Sequence, residues 1–256
     1  MTWSPQQYAA FEGERTRPSR DLVAAIPGAP TGRMCDLGCG PGNSTEVLAA
    51  RFPDAAIEGV DSSPEMVAAA RLRLPGVRFT AADILAWDDP GPFGVLLANA
   101  VLQWLPDHAT LLPRLAGRLA PGGSLAVQMP DNLDEPAHML MREVAACRPW
   151  AAKLSKASEA RASLGTPGRY YGVLRPHCRR VDVWRTTYHH VLPGGPNAVV
   201  EWFKGSGLRP FLAPLDAAEQ AGFLAEYRDG VAAAYPALPD GAVLLPFPRL
   251  FMVGTR

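Results

Sequence analysis

The chain has 256 residues, of which 48% are hydrophobic and 20% are charged, a composition typical of a globular protein with a sizeable core. Its 25 basic residues balance its 25 acidic ones, so no overall charge attracts it to nucleic acid or to an anionic membrane. The amino-terminal stretch lacks the basic and apolar regions of a signal peptide, and no apolar run reaches the roughly 18 residues of a transmembrane helix. Four cysteines without CxxC spacing indicate reduced thiols, so we expect a cytoplasmic protein.

Strands and helices are predicted to alternate from about residue 19 to residue 130. The strand segments are "GRMCDLG", "AAIEGVD", "VRFTAAD", the start of "FGVLLANAVLQWL", and "SLAVQMP". The helical segments are "NSTEVLAARF", "SSPEMVAAARLRL" and "DHATLLPRLAGRLAPGG", the last ended by Pro-Gly-Gly. In the second helix, Ser62 or Ser63 is the expected N-cap and Pro64 lies in the first turn. This alternation predicts a doubly wound, mostly parallel α/β sheet.

The pattern changes after Pro130. Mainly helical stretches are expected over 134–178 and 196–235, each followed by a strand segment, "RVDVWRTTYHHVL" and "VLLPFPRLFMVGT" respectively. We expect residues of about 131–180 and 196–240 to form a mainly helical cover inserted into a domain of residues 19–256. The cover would lie over the carboxyl ends of the strands, where open α/β sheets bind ligands.

The stretch "CDLGCGPGNST" places three glycines between the first strand and the first helix. Glycine permits positive φ and lets a ligand approach the backbone closely. A dinucleotide fingerprint needs a third glycine where Asn43 stands, so an NAD-dependent oxidoreductase is disfavoured. Asp61, at the end of the second strand, suits the two hydroxyls of a ribose, an arrangement that NAD enzymes share.

The loop resembles the Asp-x-Gly-x-Gly-x-Gly signature of class I S-adenosylmethionine-dependent methyltransferases. The resemblance implies a Rossmann-like fold and S-adenosyl-L-methionine as the cofactor. It also implies that Asp36 lies near the cationic methionyl end and that Asp83 reaches the adenine amino group; the alternative for Asp83 is a helix N-cap or a solvated strand end. The expected cofactor-binding residues are Asp36, Gly38, Gly40, Gly42, Asn43, Asp61, Ser62, Asp83, Ile84 and Asn99.

The stretch "NAVLQWLPDH" follows the fourth strand, on the expected acceptor side. Methyltransferases that act on amino groups of DNA or of protein glutamine typically carry Asn/Asp-Pro-Pro-aromatic there, so nitrogen of that kind is disfavoured. Gln103 and Trp104 are expected to line the acceptor side, although Trp104 could simply pack under the cover.

Further stretches are similar to the trans-aconitate 2-methyltransferase family along nearly the whole chain. They include "YAAFEGERTRP", "VDSSPEMVAAAR", "AVQMPDNLDEPAHMLMREVA", "VDVWRTTYHH" and "LPFPRLFMV". The resemblance implies carboxyl O-methylation that gives the monomethyl ester of trans-aconitate or of a closely related small polycarboxylic acid. It also suggests that residues 1–18 form a lid helix, the alternative being a helix packed permanently on the domain.

A substrate with three carboxylates requires cations and hydrogen-bond donors. Strand alternation places Tyr188 on one face of its strand and both Arg185 and His189 on the other, and leaves open which face lines the pocket. Arg249 is a further candidate, with a strand-end salt bridge as the alternative. The expected substrate-binding residues are Tyr8, Arg15, Arg17, Gln103, Trp104, Tyr170, Tyr171, Arg185, Tyr188, His189 and Arg249.

No residue is expected to act as a catalytic acid or base, since a carboxylate is already anionic at neutral pH. No metal site is expected either, because neighbouring His189 and His190 point to opposite faces of a strand. Two alternatives stay open. One is methyl esterification of a malonyl-acyl-carrier-protein-type carboxylate, although a neutral chain offers no clear basic docking face. The other is a non-catalytic cofactor-binding protein.

Overall fold

The computed structural model describes residues 12–147, 149–159 and 161–256. They form two compact units. Unit 1 comprises residues up to Pro130 together with Leu164–Thr186 and Leu250–Arg256, and unit 2 comprises Asp131–Ser163 and Thr187–Arg249.

Unit 1 begins with a helix and continues as alternating strands and helices. Its elements are α1 (Glu12–Ala24), β1 (Arg33–Leu37), α2 (Asn43–Arg51), β2 (Ala56–Asp61), α3 (Pro64–Arg73), β3 (Arg78–Ala81), β4 (Phe93–Asn99), α4 (His108–Ala116), β5 (Leu119–Pro130) and α7 (Pro167–Leu174). A short 3-10 helix, Leu102–Trp104, separates β4 from α4. The predicted cap of α3 is confirmed, because the Ser63 hydroxyl accepts a hydrogen bond from the Met66 N–H and Pro64 opens the helix.

Unit 2 is mainly helical. Its helices are α5 (Pro136–Ala146), α6 (Ala151–Leu154), α8 (Pro196–Lys204), α9 (Arg209–Leu212) and α10 (Ala217–Ala234), with a 3-10 turn at Ala157–Glu159. A capping box between Asp216 and Glu219 begins α10. The Trp150 and Phe223 rings meet edge to face at 5.7 Å, and the Tyr235 hydroxyl accepts a hydrogen bond from the Ala137 N–H at 3.0 Å.

Strands β6 (Arg180–Leu192) and β7 (Val243–Thr255) complete a seven-stranded sheet of order β3-β2-β1-β4-β5-β7-β6. The first five strands in this order run parallel to their neighbours. Backbone hydrogen bonds join Gly123 to Arg256 and Asp131 to Pro248, so β7 runs antiparallel to β5. All but the last residue of β4 are buried, as expected where helices cover both faces of a sheet. The predicted doubly wound, mostly parallel α/β fold is confirmed.

Three boundaries differ from the sequence-based expectation. The prediction that Pro-Gly-Gly ends α4 is wrong, because that helix ends at Ala116 and Leu119 already pairs with Phe93 in the sheet. Helix α1 continues past residue 18 to Ala24. Residues 164–180, expected in the cover, group with unit 1. Within the described part of the chain, no helix combines the length and hydropathy needed to cross a membrane.

Candidate active site

The glycine loop after β1 lies against the turn that follows β4. Gly38 has φ 69°, and a Cβ placed on it would stand only 2.5 Å from the Cβ of Val101. The Gly38 N–H donates to the Val60 carbonyl at 2.7 Å. Glycine is therefore required here both by its left-handed backbone and by the close approach of Val101. The strand order reverses between β1 and β4, which is where ligands bind in this fold.

Asp61 connects the glycine loop to the turn after β2. Its Oδ2 accepts from the Gly40 N–H and its Oδ1 from the Ser63 N–H, both at 2.9 Å. Each carboxylate oxygen has a further lone pair, so Asp61 can still accept two ribose hydroxyls. Gly40 has φ 54°, and no described residue comes within 4 Å of where its Cβ would be. A ligand can therefore approach this backbone directly.

Asp36 is completely buried, and it holds the start of α2. Its Oδ2 accepts from the Ser44 and Thr45 hydroxyls, both at 2.7 Å. The pKa of Asp36 is raised to about 7, mainly by burial and also by the charge of Asp61, although the two hydrogen bonds lower it. Ser44 and Thr45 were not among the predicted site residues, although two hydroxyl residues at the start of a helix were a visible signal.

The predicted residues that follow β3 lie in a turn at the same edge of the sheet. Asp83 is exposed, and its Oδ1 accepts from the Leu85 N–H at 2.9 Å. This is an Asx turn, close to the alternative considered for Asp83, and it leaves Oδ2 for a ligand. Ile84 is buried and its carbonyl accepts from Arg114, whereas Ser62 is exposed.

We define the β4 turn as residues 99–104. Ala100 has φ 56°, and its carbonyl accepts from Gln103 Nε2 at 2.6 Å. A carbonyl only accepts, so this contact fixes the orientation of the Gln103 amide. Gln103 Oε1 and Asn99 Oδ1 are then buried acceptors without a hydrogen bond among the described residues. Trp104, by contrast, is 42% exposed.

These residues fit S-adenosylmethionine. The open backbone at Gly40 gives the cofactor room to approach. The Asp36 Oδ1, Asn99 Oδ1 and Gln103 Oε1 atoms are buried acceptors that lack donors among the described residues. Buried acceptors require hydrogen bonds. The cofactor can supply them, because it carries an ammonium group and ribose hydroxyls as donors.

Of the two tyrosines on α7, only one is accessible. Tyr171 is 46% exposed, whereas Tyr170 is buried and its hydroxyl lies 2.8 Å from His108 Nδ1. The predicted contact of Tyr170 with substrate stays a prediction. In the structure its hydroxyl has His108 as a protein partner. His108 was missed, although it stands in the same "LQWLPDH" stretch as Gln103 and Trp104.

Strand β6 has one buried and one exposed face. Tyr188 and His190 are buried, while Arg185 and His189 are exposed. The ring of Trp184 stacks on Phe251 at 5.0 Å between centroids. From Trp184 to Leu192 the even-numbered residues therefore face the protein, and Arg185 and His189 face outward. At the start of the strand the pattern is reversed, since Val181 and Val183 pack against the core while Asp182 is exposed.

Unit 2 buries polar residues that the sequence analysis did not identify. Asn132 is buried, and its Oδ1 accepts from Arg161 at 2.9 Å. Burial lowers the pKa of Arg161 to about 10, and burial with the nearby charges of Arg161 and Arg142 lowers that of His138 to about 3. Positions 132 and 161 are 29 residues apart, so no local pattern could have paired them.

Four predicted site residues lie towards the two ends of the chain. Arg249 is only 4% exposed, and its guanidinium lies 4.6 Å above the Phe247 ring. Arg17 is exposed. Tyr8 and the side chain of Arg15 lie outside the described residues.

Comparison with known proteins now defines the family. A methyltransferase domain family matches residues 34–123. The trans-aconitate 2-methyltransferase of Methylobacterium nodulans is 57% identical over 254 residues, covering 99% of this chain and 98% of that protein. The chain belongs to the trans-aconitate 2-methyltransferase family. The Rhizobium meliloti member is 53% identical and covers 100% of this chain and 99% of its own length.

Solved structures agree on the fold of this family member. The YcgJ protein from Bacillus subtilis has a TM-score of 0.61 at 12% identity, covering 94% of this chain and 98% of that one. A putative methyltransferase from Bacillus halodurans has a TM-score of 0.60 at 10% identity, with 93% and 98% coverage. At these identities the likeness concerns the Rossmann-like fold alone.

Proposed function

We propose that the protein transfers the methyl group of S-adenosyl-L-methionine to a carboxylate of trans-aconitate, giving a monomethyl ester. The observation that carries this proposal is the 57% identity to a trans-aconitate 2-methyltransferase over 99% of the chain. The glycine loop and its acceptors support the choice of cofactor.

The cofactor site of this proposal consists of the residues at the carboxyl edge of the sheet. Asp61 accepts the ribose hydroxyls while the Gly40 and Ser63 amides hold its carboxylate in place. Asp83 accepts the adenine amino group through the oxygen that its turn leaves open. Asn99 and Gln103 accept the ammonium group. When bound, the cofactor supplies a methyl group on a positively charged sulfur.

The chemistry requires no general base. A carboxylate with an ordinary pKa near 4 is already a nucleophile at neutral pH. The residues therefore have to align its oxygen with the methyl carbon and remove water from it. Asn99 and Gln103, which accept the ammonium group, add no negative charge that would repel an anionic acceptor.

The triacid also requires cationic donors. Arg249 supports this part of the proposal, because its buried guanidinium could hold a carboxylate through two parallel hydrogen bonds. Exposed Arg185 and His189 remain candidates on the outer face of β6. The lid predicted for residues 1–18 lies mostly outside the described residues and stays a prediction, as does the role of the cover.

The proposal is tested by incubating the purified protein with S-adenosylmethionine and a panel of small acids. The products are then identified by mass spectrometry. We expect trans-aconitate to gain one methyl group, and fragmentation then locates the ester. A product from another acid only would change the substrate but keep the chemistry. Cofactor binding without methylation of any small acid would contradict the proposal and favour a carrier-protein substrate or a non-catalytic role.

A further inference from the structure

The imidazole of His108 joins two segments of unit 1. His108 opens α4, and its Nε2 lies 2.8 Å from the carbonyl oxygen of Leu102 in the β4 turn. Its Nδ1 lies 2.8 Å from the hydroxyl of Tyr170 on α7. The two rings are tilted by 40° with centroids 5.7 Å apart. One side chain thus connects the turn on the acceptor side to a helix that starts more than sixty residues later.

The chemistry of the partners fixes the direction of these hydrogen bonds. The Leu102 carbonyl only accepts, so Nε2 must carry the proton. In neutral His108, Nδ1 is then an acceptor, and the Tyr170 hydroxyl donates to it. The Tyr170 oxygen also lies 3.4 Å from the Gly165 N–H, which donates to it. The hydrogen bonds therefore run in one direction, from Gly165 through Tyr170 and His108 to Leu102.

The Tyr170 part of this chain of hydrogen bonds is buried. Tyr170 is 2% exposed and lies in the same apolar cluster as Leu102, Leu111 and Leu174. His108 is half-buried. In such surroundings a hydroxyl or ring nitrogen that loses its partner is left without a hydrogen bond, so the native pairing is strongly preferred.

We propose that His108, oriented by Tyr170, is a positioning residue that holds the β4 turn in the geometry needed for methyl transfer. Leu102 stands between Val101, which lies against Gly38, and Gln103, which bonds to the Ala100 carbonyl. Fixing the Leu102 carbonyl therefore fixes both neighbours relative to the glycine loop. A displacement near 1 Å in such a turn can cost on the order of 100-fold in rate while the cofactor still binds.

This inference rests on the proposed function, and two variants test it. Tyr170→Phe removes the hydroxyl but keeps the buried ring, and His108→Leu removes both hydrogen bonds. We expect each to lower kcat for trans-aconitate about tenfold or more, with the Kd for S-adenosylhomocysteine within about twofold of wild type. His108→Gln should recover part of the loss, since its amide can still donate to the Leu102 carbonyl. Exposed His177→Gln, also in unit 1, is the matched control.

Hydrogen exchange of the amides of residues 100–105, with S-adenosylhomocysteine bound, gives a readout that does not depend on turnover. We expect faster exchange in Tyr170→Phe and His108→Leu than in wild type. Unchanged kcat and exchange in both variants would overturn the inference, as would a loss of S-adenosylhomocysteine affinity in proportion to the loss of kcat. An inactive wild type with normal exchange differences would instead overturn the proposed function.

Discussion

Replacing Asp36 by Asn should change how the stability of the protein depends on pH. Asp36 is completely buried, so folding favours its protonated form and raises its pKa from 3.8 to about 7. A group whose pKa is raised by folding contributes stability at low pH, and that contribution is lost as the pH rises through the folded-state pKa. Wild type should therefore lose stability from this residue between about pH 4 and pH 7. Asn cannot ionise, so the variant lacks this loss.

The size of the effect follows from the shift. A change from 3.8 to about 7 is roughly 3 pKa units, and each unit corresponds to about 1.4 kcal/mol. The full contribution is thus about 4 kcal/mol, a large part of the 5–15 kcal/mol that typically stabilises a protein. The amide oxygen of Asn can still accept from Ser44 and Thr45, so little else should change at low pH.

Denaturant unfolding of the cofactor-free protein between pH 4.5 and pH 7.5 measures this. We expect the free energy of unfolding of Asp36→Asn, relative to wild type, to increase by several kcal/mol across that range. Asp54→Asn is the control, because Asp54 is exposed and water surrounds it in both states. A difference between Asp36→Asn and wild type that stays constant with pH would refute the reasoning.

Two further substitutions test the glycine loop and unit 2. Gly38→Ala should abolish binding of S-adenosylhomocysteine in calorimetry, since a Cβ would collide with Val101. In the control Gly28→Ala, φ is 67° and no described residue is nearby, so only the free energy of unfolding should fall, by the roughly 1–2 kcal/mol of a left-handed alanine. His138→Leu should remove an acid-induced loss of stability, because the buried His138 with pKa about 3 contributes stability that is lost as pH falls from about 6.5. Equal losses in both glycine variants, or an unchanged acid limb in His138→Leu, would contradict these expectations.

The parallel sheet and its cofactor edge could be predicted from the sequence because both depend on local patterns. Strand ends, glycines and the Ser63 cap are adjacent in the chain, so short motifs identify them. Asp36 was also predicted as a cofactor-binding residue. Its hydrogen bonds with the Ser44 and Thr45 hydroxyls show that it also stabilises the start of α2. Local patterns show which residues are present and leave their hydrogen-bond partners unspecified.

The acceptor side could not be predicted in the same way. Tyr170 and His108 are 62 residues apart and meet only in the folded chain. Their pairing depends on the docking of α7 on the core through residues such as Leu174. Alternation correctly divided β6 into two faces from Trp184 onward, but it could not show which face is buried. That depends on contacts with later segments, such as the stacking of Trp184 on Phe251.

The distribution of charge along the sheet edge fits a reaction between a cation and an anion. Asp36 lies near the end of β1, Asp61 ends β2 and Asp83 follows β3, so all three are near the carboxyl ends of their strands, where they suit a cofactor rich in hydrogen-bond donors. A carboxylate acceptor near the same groups would be repelled, by about 4 kcal/mol for a full charge at 4 Å and an effective dielectric constant near 20. The β4 turn instead presents the neutral amides of Asn99 and Gln103, and the raised pKa of Asp36 keeps part of its population uncharged near neutral pH. Both features reduce the repulsion of an anionic substrate, and Asp61 keeps a lone pair on each oxygen for the ribose, so the same edge can serve partners of opposite charge.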